Sequence, residues 1–273
     1  MPVSLCIGAT GDFEFIYDVL THCIKASNIL NVDAEKRTKW AEILDQIPPL
    51  QVGRHGQLQE WLEDYTEGEP SHRHATHLFA IFTGDQITVE DTPDLAKAAQ
   101  VSLERRVAYG GGGTLTPGCG IWARLREGDL AEKYLRERNV RFSTGEGPPA
   151  GSAEIAEMLL QSHRDVIRLL PALPESWPDG RIKGLRARGA FDVDITWKEG
   201  NLAEATIHSK KGGLCSLRTA VPVKLKSPAP SGKIIVKDTS VIYDFTLKSG
   251  KRIEDYVFDF ETKVGESYVI IPR

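Results

Sequence analysis

The stretch LLPALPESWPDGRIKGLRARGAFDVDITW, residues 169–197, decides the fold because the period of the hydrophobic pattern changes within it. Before this stretch, apolar residues recur every three or four positions, which is typical of amphipathic helices. Inside it, a proline-rich link leads to Phe191–Trp197, where apolar and polar side chains alternate strictly, as in a half-buried strand. The pattern therefore predicts a helical part followed by a β-structured part, with the boundary near residues 164–180.

The helical part is predicted from apolar faces that turn residues separate from one another. Asp33 is a candidate N-cap residue, Pro48 and Pro49 end the second helix, and Thr92 precedes a proline at a first helical position. The first two helices are joined by a short link and should form an antiparallel hairpin. The predicted helices cover residues 12–30, 33–47, 57–64, 74–82, 92–108 and 121–138, and a last one is capped by Ser152.

The β part is predicted from short runs with turn signals between them. Residues 198–201, KEGN, should turn the strand at 191–197 back onto residues 202–207 as a hairpin. Further β-rich runs follow at 233–237, 241–247, 256–260 and 268–271, and several such strands are typical of an antiparallel sandwich. The predicted domains are residues 1–165, helical, and residues 166–273, a β-sandwich.

The composition excludes several classes of function. A net charge of −4 gives no general attraction to nucleic acid or to an anionic membrane, and no apolar run is long enough to span a bilayer. The N-terminus lacks a signal peptide, so the chain as written is expected to be cytoplasmic, or extracellular if its N-terminus is truncated. The four cysteines form no CxxC pair, and Gly110–Gly113 lacks the ending of a P-loop, so no cofactor is predicted.

Residues 57–86, QLQEWLEDYTEGEPSHRHATHLFAIFTGDQ, have the densest set of groups that can hold a polar ligand. Within residues 57–77, five carboxylates lie close together with two aromatic residues and three histidines: Glu60, Glu63, Asp64, Glu67, Glu69, Trp61, Tyr65, His72, His74 and His77. His74 and His77 would share a helix face, but no HExxH or Cys/His framework is present, so we favour a polar pocket wall over a metal site. The carboxylates fit either a solvated face or acid–base chemistry, and Trp61 fits either sugar stacking or a core position.

Four blocks of the sequence, residues 57–88, 92–114, 153–163 and 167–202, resemble glycoside hydrolase family 95 in their order and spacing. The resemblance implies part of a six-hairpin (α/α) toroid followed by an antiparallel β-sandwich. It also implies an α-L-fucosidase that cleaves terminal α-L-fucosides with inversion, with a fucosylated oligosaccharide as its partner. Independently of the resemblance, we predict no cofactor and no metal.

The resemblance also implies which residues contact the sugar. His72, Arg73 and His74 match the His-Arg-His segment with which the family holds the sugar. Gln59 and Trp61 match the residues that lead up to that segment. These five residues are therefore the predicted substrate-binding set.

The predicted catalytic set is smaller, because the chain departs from the family pattern. Counting back from Ile155 places Glu146 where the family has a supporting carboxylate. The segment with the family's general acid, and the asparagines that activate water, would lie upstream of Cys6. We therefore expect a truncated chain that is weak or inactive by itself. Two alternatives stay open: a non-catalytic or vestigial carbohydrate-binding relative, and an α-L-galactosidase. The sequence does not indicate an oligomeric state.

Overall fold

The computed structural model describes residues 7–72, 74–108, 118–142, 149–226 and 237–273. Helices come first along the chain and strands follow, which confirms the predicted fold class of an (α/α) helical portion followed by an antiparallel-rich β-sandwich. The chain divides into two compact units between Ile121 and Trp122. The predicted domain boundary between residues 165 and 166 stays a prediction. In the part of the chain described, no helix combines the length and the apolar character that crossing a membrane requires.

The first unit contains a helical hairpin, α1 (Thr10–Leu30) and α2 (Ala34–Leu44), as the spacing predicts. Asn31 ends α1 in the left-handed conformation, with φ of 53°, which asparagine tolerates better than most residues. Asp33 precedes α2, but its side chain makes no cap hydrogen bond. It pairs instead with Lys36 at 2.9 Å, so the capping role predicted for Asp33 is wrong.

Two predicted helices of the first unit are wrong. Residues 57–64 are not helical, because their backbone groups bond to distant segments: Gln59 N–H donates to Gln51 O (2.9 Å) and Leu62 N–H donates to Gly8 O (2.7 Å). Residues 74–82 contain only one 3-10 turn, Thr76–Leu78. An amide that bonds across the fold cannot also bond four residues back, and the local pattern does not reveal that competition.

The next helix, α3 (Pro93–Ala108), begins where the proline predicts. Its apolar face is formed by Ala96, Ala99 and Leu103, which are all fully buried. The spacing of three and four residues between them is that of a helix packed on one side.

The second unit begins within α4 (Gly118–Arg124) and continues with α5 (Gly128–Phe142) and α6 (Pro149–Leu159). The single helix predicted over residues 121–138 is therefore wrong. Arg126 adopts a positive φ of 64°, and Glu127 N–H donates to Trp122 O (3.0 Å), which closes the end of α4. Ser152 lies inside α6 rather than at its cap, because the helix already begins at Pro149.

Two five-stranded sheets complete the second unit. In chain order the strands are β1 (Leu160–Gln161), β2 (Ile167–Leu169), β3 (Gly180–Ala187), β4 (Phe191–Lys198), β5 (Asn201–Ser209), β6 (Gly213–Thr219), β7 (Val223–Leu225), β8 (Lys237–Thr246), β9 (Arg252–Thr262) and β10 (Ser267–Pro272). One sheet has the order β1-β2-β6-β9-β8 and the other has the order β3-β4-β5-β10-β7. All pairings are antiparallel except the one between β2 and β6, which is parallel.

Strand β4 shows how the alternating pattern builds the sandwich core. Phe191, Val193, Ile195 and Trp197 are all buried, whereas the polar residues between them are less buried. Burying each of these side chains contributes roughly 1.5–3 kcal/mol. A Cβ at Gly180 would lie 2.1 Å from the Trp197 ring, so only glycine fits opposite that indole. The hairpin predicted from this stretch is confirmed by the β4–β5 pairing.

The other predicted strands have mixed outcomes. The runs at 241–247, 256–260 and 268–271 fall in β8, β9 and β10, and all three predictions are confirmed. Of the run predicted at 233–237, residues 233–236 lie outside the described part of the chain, and residue 237 begins β8. The sequence does not predict strands β1, β2, β3, β6 and β7. In β3 the apolar–polar alternation is interrupted at Gly184, which has a positive φ.

Candidate functional site

A cavity of about 530 Å³ lies in the first unit, beside the stretch that the sequence singles out. Residues 57–61, residues 63–70, His72, His77 and the α3 residues Ser102, Arg105 and Arg106 line it, and we call it the acidic cavity. Its wall contains two arginines and five carboxylates, Glu60, Glu63, Asp64, Glu67 and Glu69. A cavity of this size falls within the range that binds small ligands.

The wall of the acidic cavity begins with a tight turn. Gly53 N–H donates to Gln57 O (2.8 Å), and a Cβ at Gly53 would lie 2.3 Å from the Gln57 amide nitrogen, so a larger residue there would displace that amide. Arg54 then binds Asp64 through its side chain (2.9 Å) and through its backbone N–H (2.8 Å). Leu58 N–H donates to Ser102 Oγ of α3 at 3.0 Å. The turn therefore closes the loop on itself and fixes it to α3.

Arg106 organises the centre of the cavity wall. Its guanidinium is buried and donates to Glu60 Oε2 (2.8 Å), to Glu69 O (3.1 Å) and to Pro70 O (3.3 Å). The neighbouring Arg105 pairs with Glu67 Oε2 at 2.6 Å. Because an arginine holds several donors in one rigid fork, Arg106 ties two separate parts of the loop to α3 at once.

His77 lies next to Glu60 in the cavity wall, and only 3% of its surface is exposed. Its Nδ1 is 3.8 Å from Glu60 Oε1 and has no hydrogen-bond partner among the residues that the structure describes. Burial lowers the pKa of His77 to about 4; the Glu60 charge opposes this shift and the Arg106 charge adds to it. His77 is therefore a neutral imidazole at neutral pH.

The segment that carries His77 is supported by Glu14 of α1. Glu14 is fully buried, its Oε2 accepts the Ala80 N–H (3.0 Å), and its backbone carbonyl accepts the Gln86 side-chain amide (2.9 Å). Burial raises the pKa of Glu14 to about 9, and the bond from Ala80 opposes that shift only in part. Glu14 is therefore a protonated, structural carboxyl at neutral pH.

The carboxylates of the cavity wall that pair with arginines are suited to accepting hydrogen bonds. Partial burial raises the pKa of Asp64, but the hydrogen bonds and charge of Arg54 outweigh that effect and lower it. Glu60 and Glu67 have buried or half-buried arginine partners. An ionised carboxylate only accepts hydrogen bonds, so these groups present acceptors to a ligand.

The predicted substrate-binding residues do not all lie together. Gln59, Trp61 and His72 line the acidic cavity, and Gln59 Oε1 is buried with no hydrogen-bond partner in the described chain. His74 is exposed and is not among the residues that line the cavity; its backbone N–H donates to His72 Nδ1 at 3.2 Å. Arg73 lies outside the residues that the structure describes.

The predicted supporting carboxylate, Glu146, also lies outside the described ranges. Within those ranges, no group of three His, Cys, Asp or Glu side chains is placed to hold a metal ion. The assignment of Glu146 therefore stays a prediction.

The sequence does not predict that His77, Glu60 and Arg106 form one group. It predicts a polar pocket wall for the histidines, and it leaves Glu60 open as part of a solvated acidic face or as an acid–base group. A weak signal was available, because buried histidines and arginines need polar partners and Glu60 lies in the same stretch. The sequence contained no signal that Arg106, 46 residues from Glu60, would be that partner.

Comparison with known proteins places this geometry in a family. Residues 1–159 match the Glycosyl hydrolase family 95 catalytic domain. Residues 161–270 match the Glycoside hydrolase family 95, C-terminal domain. The two matches together cover nearly the whole chain.

Individual relatives agree with these matches. Alpha-L-fucosidase 2 of Arabidopsis thaliana is 36% identical over 234 residues, which cover 77% of this chain and 28% of that protein. Probable alpha-fucosidase A of Aspergillus oryzae is 26% identical over 240 residues, which cover 72% of this chain and 33% of that protein. The chain thus spans about a third of the length of these curated relatives. With a family match to each of its two parts, the chain belongs to glycoside hydrolase family 95.

Proposed function

We propose that the acidic cavity binds the terminal α-L-fucose of a fucosylated oligosaccharide and forms one wall of an inverting α-L-fucosidase site. Two facts support this proposal: the family to which the chain belongs, and the α-fucosidase names of its relatives. Because the chain spans only about a third of those relatives, the activity of a whole enzyme is part of the proposal.

The observation that carries the proposal is the mixture of groups in one cavity wall. A sugar hydroxyl both donates and accepts hydrogen bonds, so it needs acceptors and donors side by side. Glu60 supplies an acceptor, and Arg106 and the neutral imidazole of His77 supply donors. Trp61 adds an aromatic surface that can pack on the C–H side of a sugar. The excess of carboxylates disfavours an anionic ligand and suits a neutral one.

The same wall is poorly suited to donate a proton. A general acid must be protonated at the working pH, which usually requires a raised carboxyl pKa. Asp64 has a lowered pKa, and Glu60 and Glu67 are paired with arginines. We therefore assign these three groups to binding. A missing general acid reduces the rate by typically about 10²–10⁴-fold, so we propose that this chain binds fucosides and turns them over slowly.

The proposal is tested on the whole chain with L-fucose and 2′-fucosyllactose, by calorimetry and by amide NMR shifts. We expect both ligands to bind and His77→Gln to weaken binding at least ~10-fold, equivalent to about 1.4 kcal/mol. His55→Gln is the matched control, because His55 is exposed and does not line the cavity. Folded protein that binds neither ligand, or that binds equally well with His77→Gln, would contradict the proposal.

Turnover separates the remaining alternatives. Aryl α-L-fucoside and aryl α-L-galactoside, which differ by the hydroxyl at C6, are compared at equal concentration. Slow or no turnover, with binding retained, fits the carbohydrate-binding role. Turnover at a rate typical of an efficient enzyme would contradict the assignment of the wall carboxylates to binding alone, and preference for the galactoside would identify an α-L-galactosidase.

A further inference from the structure

A second cavity, of about 540 Å³, lies entirely within the second unit. The end of α4, the end of α6, Leu160, Ser162, His163 and the end of β3 line it. Three arginines and one carboxylate belong to its lining, so its charge is opposite to that of the acidic cavity, and we call it the basic cavity. The α-L-fucoside proposal makes no use of it.

The single carboxylate of the basic cavity is already bound. Arg124 Nε and Nη2 donate to the two oxygens of Glu157, at 2.7 and 3.3 Å, and the Arg124 side chain is only 7% exposed. A bidentate pair of this kind satisfies the carboxylate within the wall. The other two arginines are at the end of β3, so the positive charge is not cancelled inside the lining.

His163 contributes a neutral hydrogen-bond donor to the wall. It is 5% exposed, and its Nδ1 is closed off from solvent without a hydrogen-bond partner among the described residues. An unpaired N–H at that position would be costly, so the proton belongs on Nε2. Burial, together with the charges of nearby arginines, first among them Arg124, lowers the pKa of His163 to about 2.

Arg188 and Ser162 supply the remaining donors. The Arg188 backbone N–H donates to Ser162 Oγ (3.1 Å), which fixes the end of β3 beside residue 162. The Arg188 side chain is exposed and makes no ion pair with a described residue, and the Ser162 hydroxyl hydrogen has no acceptor there. Arg186, by contrast, is paired with Asp192 at 2.9 Å.

We propose that the basic cavity binds an oxyanion, a carboxylate or a sulfate group carried by a small molecule. Arg188, Ser162 and His163 present donors to one space, and the only carboxylate in the lining is held by Arg124. A guanidinium and two neutral donors match the acceptor-only oxygens of such an anion. A carboxylate and a sulfate present the same kind of oxygen, so the experiment separates these two sources.

The experiment titrates the whole chain with sodium sulfate, with D-glucuronate and with neutral D-glucose at constant ionic strength. Binding is followed by amide NMR shifts of residues 160–163 and 186–188. We expect sulfate or glucuronate to shift these signals and glucose to leave them unchanged. A response to sulfate alone assigns the site to sulfate groups, and a response to glucuronate alone assigns it to carboxylates.

Two variants test whether the basic cavity is responsible for anion binding. Arg188→Gln and His163→Gln should each weaken anion binding at least ~5-fold, a difference that exceeds ordinary surface-charge effects. Arg181→Gln is the matched control, because it removes an exposed arginine of β3 that does not line the cavity. Equal weakening by Arg181→Gln, or no anion binding by folded protein, would overturn the proposal.

Two further measurements keep the test interpretable. A thermal melt checks each variant, and if the buried His163→Gln variant does not fold, the exposed Arg188→Gln variant still decides the outcome. L-fucose binding is measured in parallel and should be unchanged by Arg188→Gln. Failure of the oxyanion site and failure of the fucose site are therefore seen separately.

Discussion

The acidic cavity of the first unit and the basic cavity of the second unit have nearly equal volumes, about 530 and 540 Å³, but opposite charge. Each has a buried histidine in its wall, His77 in one and His163 in the other. Burial lowers the pKa of both histidines, but Glu60 opposes the shift at His77 while only arginines act at His163. The two cavities thus place a similar neutral imidazole in contrasting electrostatic surroundings.

The buried counter-ions, more than the cavity volume, therefore set what each cavity can bind. In the first unit, Arg106 compensates an excess of carboxylates. In the second unit, the negative charge of Asp255 compensates the positive charge of arginines near His163. Asp255 pairs with Arg126 (3.0 Å) and with Arg168 (3.3 Å). Removing either counter-ion should therefore exaggerate the charge of its own unit.

The largest effect is expected from Asp255→Asn. Asp255 is 3% exposed, and its loss leaves Arg126 and Arg168 buried without their anion. Breaking a buried pair in this way costs about 3–5 kcal/mol of unfolding free energy, which urea denaturation measures. Asp244→Asn is the control, because the Asp244–Arg252 pair is exposed and should contribute only about 0–1 kcal/mol.

The pH dependence of the unfolding free energy provides a check on the role of Asp255. Burial raises the pKa of Asp255, but Arg126 and Arg168 outweigh this effect and lower it below its ordinary value. The stabilisation is therefore present above the unfolded pKa, about 3.9, and is lost as the pH falls through the folded pKa. A difference between wild type and Asp255→Asn that persists undiminished in strong acid would contradict the assigned role.

A smaller effect is expected from Arg106→Gln in the first unit. The change leaves Glu60 and the carbonyls of Glu69 and Pro70 without their donor, and should cost about 2–3 kcal/mol of unfolding free energy. L-fucose binding should weaken as well, because the loop wall loosens. Arg105→Gln is the matched control: its pair with Glu67 is partly exposed and should be worth about 0–1 kcal/mol. Equal losses from the two variants would contradict the central role of Arg106.

The smallest effects concern the two histidines and test the comparison directly. An NMR titration should find His77 protonating near pH 4 and His163 near pH 2. Glu60→Gln should lower the His77 pKa further, and Arg188→Gln should raise the His163 pKa. Glu63→Gln is the control for His77. Shifts in the same direction for both variants would contradict the contrast between the two cavities.

The lowered pKa values of His77 and His163 also determine how the unfolding free energy should depend on pH. Both have a folded pKa below the unfolded value of about 6.5, so the unfolded chain binds protons first as the pH falls. The stability that each neutral histidine contributes is therefore complete above about pH 6.5. For His77 it is lost between that value and about pH 4.

Features that depend on neighbouring residues were predictable from the sequence. The β4–β5 hairpin follows from alternation over Phe191–Trp197 and the turn after it, and α1 follows from the spacing of its apolar residues. Their hydrogen bonds join residues that are close in the sequence, so local pattern and final structure agree. The residue stretch of the acidic cavity also follows from the sequence, because its five carboxylates all lie between Glu60 and Glu69.

Features that depend on distant partners were not predictable. Residues 57–64 have a helical pattern, but their amides bond to Gln51, Gly8 and α3 instead. His74 and His77 were expected to share a helix face, whereas one is exposed and the other buried. Propensity contributes only tenths of a kcal/mol per residue, so a few long-range hydrogen bonds override it.

By itself the sequence determined that helices precede strands and where the period changes, because hydrophobic periodicity is a local property. Its motifs also indicated the family, and it supplied the acidic wall as one continuous stretch, residues 57–69. Only the tertiary structure decided which charges meet. Arg106 reaches Glu60 across 46 residues, and the basic cavity is assembled from residues 124, 156–157, 160, 162–163 and 185–188. Coulomb and desolvation energies depend on distance in space and on burial, and neither can be read along the chain.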